Sequence, residues 1–288
     1  MAGGVLIIDK PQGWTSMDVC AKLRGVLHER RVGHGGTLDP MATGLLPVFV
    51  GRATRAVEYA ADGDKEYEAV LRLGLVTDTQ DVTGTVLHQR GAEVTAAELE
   101  AALGRFRGEI MQVPPMYSAI KVNGKKLYEL ARKGREVERQ PRPVTIYALE
   151  LLGQRSQTDF ALRVVCSKGT YVRTLCHDIG AALGCGGAMA ALRRTRVAGF
   201  TLENALTLDD VCAHPRPETL LRPVDGCFAD LPAAVLTAAQ EKRVRCGAAF
   251  TWPGAPGLLR AYGAGGEFLA LCRADGETLR VVKSFFEV

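Results

Sequence analysis

The sequence predicts an α+β fold, a mixed sheet flanked by helices, with a small β domain at the C-terminal end. Helical and extended segments interleave without the regular alternation of a doubly wound sheet. Beyond Pro223 and Pro232 the chain turns Gly-rich, with short β-type runs between turns. The 288 residues suit about two domains at roughly 100–200 residues each, and 47% hydrophobic with 24% charged residues excludes a chain dominated by disorder, a collagen-like repeat or a coiled coil.

The elements follow in order. Residues 4–9, Gly-Val-Leu-Ile-Ile-Asp, read as a buried strand ended by the turn Lys10-Pro11-Gln12-Gly13. Thr15 or Ser16 then caps a helix with Val19, Leu23, Val26 and Leu27 on one face and Gly33 beyond its end. Residues 45–50 form another buried strand, 52–60 a helix, and 65–73 a strand with alternating Tyr67, Ala69, Leu71 and Leu73. Thr95 with Glu98 makes a capping box for a helix over 96–103. Pro114-Pro115 breaks regular structure, and Asn123-Gly124 marks a turn feeding a basic helix over 125–133. Extended segments at 144–152 and 160–166 precede a helix over 173–183 stopped by Gly184. A boundary near Asp230 divides a domain over 1–229 from a β domain over 230–288, with strands at 258–261, 268–272 and 279–286.

Charge is unevenly placed. The net charge is +4, yet residues 121–142 hold eight Lys or Arg against three Glu. Such a local field suits a polyanion such as RNA, or it is a solvated helical face that binds nothing. Eight cysteines without a CxxC pair and five scattered histidines argue against a disulfide framework or a metal site. No apolar run approaches the roughly 18 residues needed to cross a bilayer and the start lacks a basic n-region, so the expected location is the cytoplasm.

Punctuation is densest over 33–47, Gly-His-Gly-Gly-Thr-Leu-Asp-Pro-Met-Ala-Thr-Gly-Leu-Leu-Pro, between a helix and an apolar strand. A phosphate cradle fails on detail, since neither Gly-Lys-Ser/Thr nor GxGxxG is present. What remains is Asp39, its backbone held extended by Pro40, with His34 nearby. From the residues alone this is either a functional carboxylate or an ordinary Asp-Pro turn.

The loop resembles the signature of the TruB family of pseudouridine synthases. Four further segments agree in order: residues 4–13, Lys65-Glu-Tyr-Glu-Ala69, residues 113–121 with Pro-Pro-Met-Tyr-Ser-Ala, and residues 166–174 with Ser-Lys-Gly-Thr-Tyr-Val-Arg, followed by Leu192-Arg-Arg194. The resemblance is dense over about 4–200 and weaker beyond. It implies the pseudouridine synthase fold with a mainly antiparallel sheet, a PUA-like RNA-binding domain at the C-terminal end, and conversion of one uridine, position 55 in the T-arm loop of tRNA, to pseudouridine. It implies Asp39 as the essential aspartate and His34 as the residue that helps dislodge the base. Tyr67 is implied to stack on the flipped uracil, Arg173 to pair with the aspartate, Tyr171 and Leu192 to line the uracil pocket, and Lys10 to sit near the active-site edge. Gly35 and Leu38 depart from residues common in the family.

The isomerisation breaks the bond from N1 to the ribose and joins C5 to the same carbon, with no redox change, so neither cofactor nor metal is expected. A carboxylate could act on uracil C6, on ribose C1′, or as a base. Burial would raise its pKa and a nearby guanidinium would restore the ionised form. Lys121, Lys125, Lys126, Arg132 and Lys133, in an RNA-gripping segment around 113–142, are the candidates for phosphate contacts. The chain is expected to act as a monomer without an obligatory protein partner, as a bacterial-type enzyme and not as a guide-RNA-dependent one. The alternative is a noncatalytic tRNA-binding or folding protein, which would keep the basic stretch without needing Asp39.

Overall fold

The computed structural model describes residues 3–122 and 124–286. The Asn123 half of the expected 123–124 turn lies outside them.

A ten-stranded mixed sheet dominates the fold. Its main path runs Leu206–Thr207, Gly4–Lys10, Thr43–Val50, Gly187–Val197, Lys65–Leu73, Asp159–Cys166, Arg142–Gln154, Gly108–Gln112. Apart from the parallel edge pairing of Leu206–Thr207 with Gly4–Lys10, the path consists of two antiparallel sets, which meet where Gly187–Val197 lies parallel to Thr43–Val50 through only two residue pairs, Arg193 with Thr43 and Arg194 with Gly44. That narrow seam falls within residues 33–47, four residues beyond Asp39.

Period-two alternation builds both faces beside the seam. Leu6, Ile8, Leu46, Val48 and Val50 face the helix Ser16–Leu27, whose Val19, Leu23 and Leu27 cover them. Val5, Ile7, Leu45 and Phe49 point the other way, into a core shared with Phe228, Leu271 and Phe285. Across the seam Tyr67, Ala69, Leu71 and Leu73 join the core beneath the helices Ala96–Leu103 and Val172–Ala182. The opposite face of that half is polar, with Arg163 bridging Glu66 and Glu150, each at 2.9 Å.

Local signals hold where the chemistry is local. Thr15 caps its helix in a capping box with Asp18, and Thr95 does so with Glu98 over the expected residues. Two expected helices differ. The 52–60 segment is a 3-10 helix, Gly51–Ala56, that becomes α-helical only over Val57–Asp62. The basic helix expected over 125–133 is a short hairpin, Lys121–Val122 with Lys125–Lys126, followed by the five-residue helix Leu127–Ala131. The backbone bonds from Leu127 N–H to Ile120 O and from Tyr128 N–H to Ser118 O delay the start of the helix to Leu127, and Gly134, at φ +66°, turns the chain away with Arg135 N–H bonded to Leu130 O. The strands Val32–His34 and Gly187–Val197 were not expected.

The C-terminal strands Ala233–Val235, Gly257–Tyr262, Phe268–Ala274, Thr278–Ser284 and Phe250–Thr251 form a separate five-stranded sheet. It does not stand apart. Phe268 and Phe285 stack at 5.1 Å and Phe285 meets Phe228 at 5.9 Å, while the Tyr262 hydroxyl donates to Asp225 at 2.7 Å. Among the described residues no helix is long and apolar enough to cross a membrane.

Candidate active site

The 33–47 loop is pinned on both sides of its carboxylate. Leu38 and Ala42 are buried in the core beneath the Val172–Ala182 helix. The Leu38 N–H donates to Ser16 Oγ at 2.9 Å, Gly13 N–H donates to the Pro40 carbonyl at 2.8 Å, and Ala42 N–H closes a turn onto the Asp39 carbonyl at 3.0 Å. Gly35 fits here for a steric reason: a Cβ would come within 2.9 Å of Ala60 Cβ and 3.1 Å of the Phe49 ring. Asp39 therefore stands on a fixed bend, its side chain 34% exposed, at the edge of a cavity of about 870 Å³.

Arg173 reaches Asp39 from 134 residues away. Its Nη2 lies 3.3 Å from Oδ2 and 3.5 Å from Oδ1, and donates to the Tyr117 carbonyl at 2.7 Å. Its Nη1 faces a second carboxylate, Asp81, at 3.9 Å. Asp81, whose side chain is 5% exposed, was not singled out from the sequence. Its Oδ1 accepts from Thr79 Oγ1, Thr83 N–H and Thr83 Oγ1 at 2.9, 2.9 and 2.5 Å. The available signal was the run Asp78-Thr79-Gln80-Asp81-Val82-Thr83-Gly84, a cluster of turn formers directly after the strands that follow Tyr67.

The Asp39 carboxyl is held above its ordinary value. Burial is the largest cause; Arg173 pulls it back, Asp81 pushes it up again, and Lys10 pulls it down. The expected restoration of the ionised form by Arg173 is thus partial in the free protein, because burial outweighs the guanidinium and Asp81 adds to the rise.

Tyr67, Tyr171 and Leu192 line the same cavity as Asp39, as does His34. Tyr67 lies between Val164 and Arg194 on the neighbouring strands, and Leu192 pairs with Ala69. His34 Nδ1 and Arg173 Nε are buried without a hydrogen-bond partner. Burial, and after it Arg194, holds the His34 imidazole below its ordinary value, favouring the neutral form.

Lys10 is placed differently from the edge position implied by the family resemblance. It is 0% exposed beneath the loop, its Nζ donating to the Trp14, Pro11 and Pro40 carbonyls at 2.7, 2.9 and 3.5 Å. It braces the residue after Asp39 and is absent from the cavity lining. Its pKa is lowered to about 8, chiefly by burial.

Of the basic candidates, Arg132 lines the cavity mouth beside Tyr128, whose ring has Lys126 Nζ and the Arg132 guanidinium each 5.4 Å from its centre. Lys121, Lys125 and Lys133 are exposed on the surrounding hairpin and beyond the short helix. Among the described residues none of these five forms an ion pair with an acid, so their charge is available to phosphate.

Comparison with known proteins gives the class first. The structure superposes on a chain of an H/ACA RNP bound to a substrate RNA containing 2′-deoxyuridine with a TM-score of 0.75, 27% identity, and coverage of 99% of this chain and 85% of that one. A chain of a Cbf5-Nop10-Gar1 complex gives 0.74 at 29% identity, covering 98% of this chain and 85% of that one. The fold is that of the pseudouridine synthases of this type. Family models then place the chain within the class: TruB family pseudouridylate synthase (N terminal domain) matches residues 24–172 and tRNA pseudouridylate synthase B C-terminal domain matches residues 173–228. The chain belongs to the TruB family. Among its relatives, tRNA pseudouridine synthase B of Ralstonia pickettii is 51% identical over 83% of this chain and 77% of that protein. The protein of the same name from Aromatoleum aromaticum is 49% identical over 95% of this chain and 89% of that protein.

Proposed function

We propose that this chain isomerises the uridine at position 55, in the T-arm loop of tRNA, to pseudouridine, with Asp39 as the essential carboxylate. Family membership and the names of the relatives support uridine isomerisation in tRNA. The observation that carries the assignment of residues is the Asp39–Arg173 pair on a cavity that also presents Tyr67, His34, Tyr171 and Leu192.

The reaction breaks N1–C1′ and forms C5–C1′; C5 gives up its proton and N1 gains one, so atoms and electrons balance without an added reagent. The ionised carboxylate acts at C6, at C1′, or as a base, and Arg173 favours that ionised form. Extruding the base costs a few kcal/mol and stacking on an aromatic ring returns roughly 1–3 kcal/mol. Tyr67 supplies that ring, and His34 occupies the space the base vacates. Tyr171 and Leu192 wall the pocket, while Lys10 acts from behind the loop.

Lys121, Lys125, Lys126, Arg132 and Lys133 grip the RNA backbone, and the C-terminal sheet serves as a PUA-like RNA-binding domain beginning near residue 230. On this reading the enzyme works as a monomer in the cytoplasm, without the partner proteins named for the solved complexes.

The experiment assays Asp39→Ala and Asp39→Asn for pseudouridine formation and for tRNA binding separately. Product is expected to fall by at least about a thousandfold with binding retained. Surviving product formation would sink the catalytic reading and leave a tRNA-binding or folding role. Mapping pseudouridine in tRNA from cells lacking the protein tests the substrate: loss at the T-loop uridine is expected, and loss elsewhere overturns position 55.

A further inference from the structure

The seam of the sheet contains a cation for which the reaction has so far required no role. Arg194 is 1% exposed and is the largest of the fully buried side chains. Its Nε donates to the Leu45 carbonyl at 2.8 Å, its Nη2 to the Gly36 carbonyl at 3.1 Å, and its Nη1 to the Thr37 carbonyl at 3.5 Å. Among the described residues the guanidinium pairs with no carboxylate. A buried cation without an anion is costly, and convergent carbonyl dipoles offset only part of that cost. A side chain whose only task was to fill the space would be better made of methylenes.

The three carbonyls share one property: they lie on the two stems of the loop that carries Asp39. Gly36 and Thr37 precede the aspartate and Leu45 follows it, so one planar fork ties both stems together below the apex. The loop backbone is left-handed at the two glycines that pass Arg194. Gly36 has φ +107°, and a Cβ there would sit 3.5 Å from Arg194 Nη1. Gly44 has φ +98°, and a Cβ there would fall 2.3 Å from the Arg194 carbonyl oxygen. The parallel pairing of Arg194 with Gly44 fixes the root of the side chain, so the fork's position follows from the sheet.

We propose that Arg194 is a positioning residue for the reaction: by drawing the Gly36, Thr37 and Leu45 carbonyls onto one guanidinium, it holds the loop in the shape that sets Asp39 against Arg173. This rests on the reading of Asp39 as the catalytic carboxylate. A lysine replaces the planar fork, whose Nε and Nη2 are directed at opposite stems, with a single compact ammonium, and is expected to hold the two stems less well.

The test compares Arg194→Ala and Arg194→Lys with the unaltered chain, alongside Asp39→Asn, using single-turnover pseudouridine formation, tRNA binding and thermal melting. Each measurement is made with and without added guanidinium, and with methylammonium and KCl at equal ionic strength. Both Arg194 variants are expected to lose on the order of a hundredfold in rate, as for a misplaced catalytic group, with tRNA affinity within about threefold. Guanidinium alone should restore Arg194→Ala at least about tenfold, a chemical rescue that a general loss of packing would not show. An Arg194→Lys rate within about threefold of the unaltered chain overturns the inference, as does rate loss that only tracks the unfolded fraction. Failure of both variants to fold also overturns it, by assigning Arg194 to core stability. Activity surviving in Asp39→Asn is a distinct result, which removes the underlying reading whatever Arg194 does.

Discussion

On one wall of the cleft Asp39 stands at the apex of a loop shaped by backbone: glycines at Gly36 and Gly44, the Pro40 carbonyl bonded to Gly13, and carbonyls gathered on Arg194 and Lys10. On the facing wall Arg173 is held by charge and side-chain contacts, with Asp81 fastened by Thr79 and Thr83 behind it. The first wall is fixed by backbone conformation, the second by the charges of its side chains. Changes to the glycines of the loop wall should therefore act through shape, and removal of the acid behind Arg173 through the pKa of Asp39.

The largest effect is expected at the seam. Gly44→Ala combines a left-handed backbone with a Cβ driven into the Arg194 carbonyl, and backbone relief must displace the loop. A stability loss of about 1–3 kcal/mol is expected by chemical denaturation, with rate loss persisting where the protein is still folded. A folded, fully active Gly44→Ala would break the account of the loop wall.

Asp81→Asn sharpens the other side. Removing this acid frees Arg173 from one partner and removes a charge that raises the Asp39 pKa. The acid limb of the rate profile should begin above the ordinary aspartate range in the unaltered chain and move to lower pH in the variant. The rate on the plateau should fall roughly tenfold to a hundredfold as Arg173 loses its brace. An unmoved limb would remove Asp81 from the electrostatics of the site.

Asp39→Asn separates function from stability. A carboxyl whose folded pKa lies above its unfolded value weakens the fold once pH exceeds the unfolded pKa, because the unfolded chain ionises more readily. The inactive Asn variant should melt at or a few degrees above the unaltered chain at neutral pH, read by calorimetry. A lower melting temperature would show that the acid contributes to the fold through its pairing.

Lys10 should give the smallest effect. Its folded pKa of about 8 predicts a shallow alkaline limb near that pH, absent in Lys10→Met. In stability the sign is opposite to that of a paired lysine: above about pH 8, and up to an unfolded value of about 10.4, the unfolded chain binds the extra proton and this group's contribution rises with pH.

Legibility in the sequence followed the range of the forces involved. The Thr95–Glu98 capping box, the alternation from Lys65 to Leu73 and the punctuated loop around Asp39 are short-range patterns, and each is found where expected. The strand Gly187–Val197 was missed because Gly-Ala-Met-Ala-Ala-Leu-Arg-Arg-Thr-Arg-Val has little β-type alternation of its own. It is extended because Lys65–Leu73 pairs along one side of it and Thr43–Gly44 meets it on the other. The basic helix is shorter than composition suggests, because backbone bonds to Ser118 and Ile120 fix its start and Gly134 turns the chain beyond its end. Asp81 was invisible for a similar reason, since nothing near it in the chain reveals that Arg173 lies across the cavity.

The sequence by itself determined the α+β class, because capping and alternation act between residues a few positions apart, while its resemblance to the TruB family singled out Asp39, which loop punctuation alone left as either a functional carboxylate or an ordinary Asp-Pro turn. The tertiary structure alone decided that Arg173 serves two acids, that Lys10 works from beneath the loop, and that Arg194 ties the loop's two stems. Those are relations between groups brought together by sheet pairing, and electrostatic energies in a buried site depend on distance through space, which no local pattern encodes.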